Sequence, residues 1–598
     1  MSGVSWTKDQ ERVIRTHDRN LLVSAAAGSG KTAVLVQRIV DMVTDEENPM
    51  DVDELLVVTF TNAAASEMRE RVADALAKLL DENPQNRHVK RQNTLIHQAQ
   101  ITTIDSFCLY VIRNYFNQLD IDPSFRIGDE GELRLLLADV MEEMLEEHYQ
   151  KGDKDFADFV ETYSRGKADS GIDEYIYQVV EFARSTPWPQ KWMKACEKEI
   201  AVESEEKLEK TSWMAYLLED VRRQAGELLG LVEEAKEICM EEDGPQPYLA
   251  AFLDDEILIK RIQGAETYQE LSEILVNASS LTRLKAVRSK EVDPYKKEEA
   301  SSIRTQVKQI LTKMKKLYAS GSCSDVVASM KGSQKAVLTL LSLAQEFEQR
   351  YQEAKKEKNL VDFSDLEHFA IQILLREGEN GEIEPTEAAK QLSAQYREIL
   401  IDEYQDSNLV QETLLNSISR EREHTPNMFM VGDVKQSIYR FRLARPELFM
   451  KKYETYTTEE SLYQKIELHQ NFRSRREILE SANQVFWKLM IRAVGGIAYT
   501  KEHALYPGAD FLPLPDGENE AYRTELLLCD TTQSNVVLPD GNAQEEKILQ
   551  DREEFTAKEA EAHMVAQEIL RLTDPKTGMM VWDKKEKKYR RARYQDIA

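Results

Sequence analysis

Cysteine is scarce in this 598-residue chain. The five residues Cys108, Cys196, Cys239, Cys323 and Cys529 are scattered and odd in number. No C-x-x-C pair occurs, so neither a zinc site nor a disulfide framework is indicated, and a reducing cytoplasm is the expected home. Apolar residues never run long enough to span a membrane. The N-terminus, Met1-Ser2-Gly3-Val4-Ser5-Trp6, lacks the layout of a signal peptide. Positive charge is also in deficit: 78 Lys+Arg against 107 Asp+Glu give a formal net charge of −29. That argues against a simple basic nucleic-acid coat, although the field in one groove counts for more than the total. What remains is an ordinary water-soluble profile, 41% hydrophobic and 31% charged, in a chain long enough for about three or four domains.

The chain is organised around Leu21-Leu22-Val23-Ser24-Ala25-Ala26-Ala27-Gly28-Ser29-Gly30-Lys31-Thr32. A short apolar run leads into a turn of small residues, and Lys-Thr opens a helix over 33–40. This is the strand–loop–helix context of a phosphate-binding loop. Small residues let the backbone curl so that successive N–H groups face phosphate oxygens. The helix N-terminus adds partial positive charge. Lys31 is placed to reach the β- and γ-phosphates of ATP, and the Thr32 hydroxyl to hold Mg²⁺. The usual first glycine is Ala25 here; the alternative is an ordinary strand-to-helix turn. Upstream, Gln10 could read an adenine edge or merely be solvated.

Further strands end in polar residues. The run 55–60 ends at Phe60, Thr61 and Asn62 and precedes a helix over 66–80. An exposed Phe60 suits base stacking, and a buried one is the alternative. A third strand is expected over 101–107, including Thr102, with a helix over 108–116. Residues 398–401 form an apolar strand ending in Asp402-Glu403. Asp402 suits Mg²⁺ and Glu403 the activation of water. The strand at 428–433 leads to Gln436, placed to sense a γ-phosphate, and to Tyr439, Arg440, Phe441 and Arg442. Interleaved rings and guanidinium groups suit a single nucleic-acid strand. Arg473 could add positive charge at the γ-phosphate or lie free on the surface. Repeated strand–helix units predict a mostly parallel α/β sheet with its ligand at the carboxyl ends of the strands.

From 128 to 360 the pattern turns helical, with breaks at 186–189 and 244–247, and no catalytic cluster stands out. Beyond 456, a loop over 506–517, a strand over 525–528, a helix over 555–572, a basic loop or hairpin over 584–591 and the start of a strand at 596–598 are expected.

Gln10, the loop 25–32, Thr59-Phe60-Thr61-Asn62, 102–107, Asp402-Glu403-Tyr404-Gln405-Asp406, 432–442 and 470–474 follow one another in the order of the motifs of UvrD-like superfamily 1 helicases. The chain resembles that family. Stretches 101–116, 122–127 and 431–448, and the long helical insertion, most resemble its AddA branch, the larger motor chains of bacterial ATP-dependent helicase/nucleases. The resemblance implies a P-loop NTPase (RecA-like) motor domain 1A over 1–127 and 361–455. It implies a helical insertion 1B over 128–360 and an incomplete second motor domain 2A over 456–598, with an ATP-binding region of about 3–476. It implies an ATP- and Mg²⁺-dependent 3′–5′ DNA helicase acting on single strands and duplex ends in double-strand break repair. A heterodimer with the partner protein AddB is implied, and membranes are not. Gln10 and Phe472 would hold adenine, and the loop amides and Lys31 the phosphates. Thr32 and Asp402 would hold Mg²⁺, Glu403 would activate water, and Gln436 and Arg473 would act at the γ-phosphate. Phe60, Thr61, Asn62, Thr102, Tyr439, Arg440, Phe441 and Arg442 would face DNA. The sequence departs mildly at Ala63 and Ser407, where relatives often carry Lys and Thr. Later helicase motifs and a nuclease carboxylate cluster are not found. Two alternatives stand beside this reading: a UvrD-like repair helicase that works without AddB, and a fragment that binds nucleotide and DNA without turnover.

Overall fold

The computed structural model describes residues 5–119, 121–164, 171–277, 281–287, 292–319, 321–490, 499–512, 522–528, 557–583 and 586–597. Its centre is a six-stranded sheet. In chain order the strands are β1 (Asn20–Ala25), β2 (Leu55–Thr59), β3 (Gln100–Thr103), β4 (Glu398–Ile401), β5 (Met428–Gly432) and β6 (Tyr463–Leu468). They lie side by side in the order β6-β1-β5-β4-β2-β3, and every neighbouring pair is parallel. Parallel strands need crossovers, and here helices supply them on both faces.

Both faces are apolar because alternate side chains point to opposite sides. Leu21, Val23, Leu55, Val57, Leu400, Phe429 and Val431 join the core under the helices Lys31–Thr44 and Asn62–Glu82. Leu22, Leu56, Val58, Ile399, Ile401, Met428 and Met430 join the core under the helices Ile104–Tyr115 and Phe363–Leu374. One buried ion pair crosses the first core. Arg38 is 1% exposed, and its Nε and Nη2 donate to Glu398 Oε1 at 2.9 and 2.6 Å.

The chain leaves this layer after Arg126–Ile127 and returns at Leu360–Val361, two short strands that pair with each other in parallel. Between them the described residues are almost entirely helical. Two cores form, one around Phe156, Phe159 and Phe347, the other around Val221, Leu228 and Phe252. The helix Cys323–Glu357 belongs to both and spans about 52 Å at 1.5 Å per residue.

Several expectations need correction. The strand expected over 101–107 stops at Thr103, because the Thr103 hydroxyl accepts the Ser106 N–H (3.3 Å) and starts a helix at Ile104. Likewise Thr61 caps a helix that begins at Asn62, not 66. Strand β6, expected within a second unit from 456, pairs with β1 along its whole length. Residues 525–528 form no strand. Beyond β6 the described chain holds the helices Arg476–Leu489 and Ala557–Leu572 and the antiparallel pair Met580–Asp583 and Lys588–Arg591. Residues 513–517, Cys529, Phe555, Lys584, Lys585 and Ala598 lie outside the described residues. Among the described residues no helix is long and apolar enough to cross a membrane.

Candidate functional site

The strand pairing aligns Ala25, Gly432, Ile401, Thr59 and Thr103 near one edge of the sheet. The singled-out side chains follow these residues. The loop 25–32 turns there through Gly28 and Gly30, at φ +70° and +85°. Side chains avoid that backbone region. Gly28 is pinned a second way: a Cβ would lie 2.7 Å from Asn471 Nδ2 and 2.9 Å from Arg473 Cβ.

The contact comes from a strap, residues 470–474. Asn471 Nδ2 donates to the Ala27 carbonyl at 2.6 Å, and the Phe472 N–H donates to the Gly28 carbonyl at 2.8 Å. Asn471 Oδ1 accepts the N–H groups of Arg473 and Ser474 at 2.8 and 2.7 Å. Sequence reasoning gave Asn471 no role. Its signal is local: an Asn whose side chain can accept N–H groups two and three residues on favours such a turn. The Phe472 ring packs over Gly508, where a Cβ would lie 2.8 Å from ring Cε1. Arg473 is exposed, and its guanidinium has no ion-pair partner among the described residues.

Gln10 is buried against the loop. Its Nε2 donates to the Ser29 carbonyl and its Oε1 accepts the Thr7 N–H, both at 3.0 Å. Both ends of the amide are thus held by protein, and one Nε2 hydrogen is left for a base edge. The Ser29 hydroxyl is buried without a partner.

Lys31 and Thr32 open the helix Lys31–Thr44 with half-buried side chains. Lys31 Nζ lies 3.0 and 3.2 Å from the two carboxylate oxygens of Glu403. Glu403 itself sits at φ +51°, an uncommon conformation for a residue with a side chain, held at the entrance to a tight turn. The Asp402 N–H donates to the Val58 carbonyl at 2.9 Å, which fixes the end of β4 against β2. Burial, with the neighbouring Glu403 charge, pushes the Asp402 carboxyl up to about 6. The same two causes push Asp406 up to about 6. Acids raised in this way hold negative charge poorly until a cation arrives. A hydroxyl (Thr32), a buried carboxylate (Asp402) and a helix N-terminus fit Mg²⁺ on a phosphate chain.

Beside them opens a cleft of about 320 Å³ lined by Phe60, Thr103, Asp105, Asp402, Glu403, Tyr439 and Arg442. Phe60 is 39% exposed, and its ring centroid lies 4.7 Å from that of Tyr439. Tyr439 and Phe441 follow at 6.0 Å, and the Arg442 guanidinium lies 5.5 and 5.7 Å from those two rings. Arg440 faces Glu447 at 3.5 Å. Gln436 Nε2 donates to Asp433 Oδ2 at 2.8 Å. Thr61 and Asn62 start the helix beside Phe60. Thr102 does not line this cleft. It is half-buried within β3, and the period-two alternation brings Thr103 to the cleft instead.

Comparison with known proteins agrees with this arrangement. The whole chain is 46% identical to the A chain of the ATP-dependent helicase/nuclease of Lachnoclostridium phytofermentans, covering 44% of that protein. It is 43% identical to the protein of the same name from Bacillus licheniformis and 40% identical to that from Clostridium perfringens, covering 47% and 48% of them. The chain therefore spans about half the length of these relatives. Residues 6–457 match the family model described as UvrD/REP helicase N-terminal domain. That stretch takes in the glycine loop, the Asp402-Glu403 turn, the ring-bearing segment and strands β1 to β5, and it makes up most of the chain: the protein belongs to the UvrD/REP helicase family.

Proposed function

We propose that this chain is the nucleotide- and DNA-binding motor portion of a helicase of the AddA type. ATP is hydrolysed at the loop 25–32, and the energy drives 3′–5′ movement along one DNA strand. The observation that carries the reading is the Lys31–Glu403 pair at the carboxyl edge of a parallel sheet. It joins a phosphate-binding lysine to a carboxylate that can take a proton. Phosphates entering the glycine loop compete for Lys31 and free Glu403 to accept the proton of an attacking water. The loop N–H groups and Lys31 hold the phosphates, and Gln10 and Phe472 flank the base. Thr32 and Asp402 would hold Mg²⁺, which neutralises phosphate charge when bound. Gln436 and Arg473 stand where charge develops on the leaving phosphate, and Arg473 is free to turn toward it.

Phe60, Tyr439, Phe441 and Arg442 form the surface for single-stranded bases and their phosphates, with Arg440, Thr61 and Asn62 at its margin. By similarity to the helicase/nuclease relatives, we propose double-strand ends as the substrate and a second large protein as the partner. Equilibrium titration of the chain with a fluorescent ATP analogue, with and without Mg²⁺, tests the nucleotide half. Anisotropy with a labelled single strand tests the other. Micromolar binding of both, with Mg²⁺ tightening the nucleotide, is the expected result. Failure to bind nucleotide would remove the proposal.

A further inference from the structure

We infer that Gln405 is a positioning residue that couples the Glu403 carboxylate to the segment carrying the aromatic surface. The inference rests on the proposed nucleotide and DNA sites and adds the link between them. Gln405 lies in the tight turn Tyr404–Asp406 and is 1% exposed. Its Nε2 donates to Glu403 Oε2 at 2.8 Å and to Asp406 Oδ2 at 3.1 Å. Its Oε1 accepts the Asp433 N–H at 3.0 Å. One amide thus joins the end of β4 to the end of β5. Gly432 makes the approach possible, because a Cβ there would lie 2.3 Å from Gln405 Oε1.

From Asp433 the link runs outward. Asp433 Oδ2 accepts from Gln436 Nε2 at 2.8 Å, and Asp433 Oδ1 pairs with Lys435 Nζ at 2.7 Å. The far end of the segment is tied to the same turn, since the Arg445 N–H donates to the Ser407 carbonyl at 2.9 Å. Tyr439, Phe441 and Arg442 lie between these two ties. The turn and the ring-bearing segment are therefore held as one body. The chemistry of the residue fits the role. Glu403 needs a donor and the Asp433 N–H needs an acceptor, and an amide offers both at one tip. A glutamate would repel Glu403, and a methionine would offer neither bond. Hydrogen bonds of 2.8 and 3.0 Å tolerate only small separations before they weaken. When nucleotide phosphates draw Lys31 off Glu403, any shift of that carboxylate is carried through Gln405 to Asp433 and the rings.

The test is the linkage between the two ligands in the 598-residue chain. Affinity for a labelled single-stranded oligonucleotide is measured with and without a non-hydrolysable ATP analogue and Mg²⁺. Nucleotide affinity and the thermal midpoint are measured beside it. The wild type is expected to change its DNA affinity by about tenfold on adding nucleotide. Gln405→Met keeps the volume and removes the bonds. It should bring that factor below about twofold while both ligands still bind. Gly432→Ala should do the same from the β5 side, and it decides the matter where Gln405→Met fails to fold. Full coupling in both variants would overturn the inference, as would a wild type that binds both ligands without coupling. A wild type that binds no nucleotide would instead remove the functional proposal, and the inference with it.

Discussion

In the helical insertion, acids have partners; at the carboxyl edge of the sheet they wait for one. Glu147 meets Arg350 at 2.8 Å, and the hydrogen bonds from Arg350 and Lys151 pull its carboxyl down to about 2. Glu256 is held between Lys236 and Lys260 and also falls to about 2. At the sheet edge the direction reverses. Asp402 and Asp406 rise to about 6, and burial lifts Glu367, on the helix Phe363–Leu374, to about 7. Backbone strain is divided in the same way. Glu403, Gly28 and Gly30 are left-handed at the sheet edge, whereas Gly152 is left-handed in open space at a helix end. Uncompensated charge and constrained backbone gather where a ligand is to supply the missing term. The insertion satisfies its own groups and serves as a frame.

Paired substitutions can break this comparison. The largest contrast is expected between two lysines. Lys31→Ala removes a charged phosphate contact and should weaken ATP binding by about 10–100-fold in an equilibrium titration. Lys335→Ala, in an exposed pair with Asp155 at 2.6 Å, should leave it unchanged and move stability by less than about 0.5 kcal/mol. Equal effects would dissolve the division.

Next come the rings. Phe60→Ala should cost about 1–3 kcal/mol of single-strand affinity, read by anisotropy, with little change in thermal midpoint. An unchanged affinity would move the DNA surface elsewhere.

Glu367 gives a contrast in pH. Its folded pKa near 7 stands above the unfolded value of about 4.3. Between those values the folded state holds a proton that the unfolded state has released, so this group's stability contribution falls as pH rises through the window. Glu367→Gln should therefore stabilise the protein at pH 8, by on the order of 1–3 kcal/mol, and flatten the slope between about pH 5 and 7. The Gln411 Nε2 bond at 2.9 Å can be kept by the new amide oxygen. Chemical denaturation across pH checks this. For Glu256 the same reasoning has the opposite sign, with stability lost only as pH falls below the usual carboxylate range.

The smallest and sharpest pair is Gly28→Ala against Gly152→Ala. Both force a side chain into left-handed backbone, at about 1–2 kcal/mol. Only Gly28→Ala also meets Asn471 and Arg473, so only it should weaken nucleotide binding as well.

Much of this site is written locally. A phosphate loop must be small residues between a strand and a helix. Lys31, Thr32, Asp402 and Glu403 could therefore be read from residue type and neighbours alone. The parallel α/β layer follows from short apolar runs that carry no polar face. The helical frame follows from its periodicity and its Pro/Gly breaks. Other features depend on residues hundreds of positions apart. The strap joins Asn471 to Ala27, the buried pair joins Arg38 to Glu398, and β6 completes a sheet that began at Asn20. The choice of Thr103 over Thr102 turned on a cap that ended β3 at Thr103 itself. Gln405 showed in the sequence only as one letter of a motif, because its partners Glu403 and Asp433 follow different strands. The sequence by itself determined which residues can do phosphate chemistry, since that depends on side-chain type and immediate backbone. Only the tertiary structure decided which of them meet and which acids are left without a counter-charge, because burial and distance are properties of the packed chain.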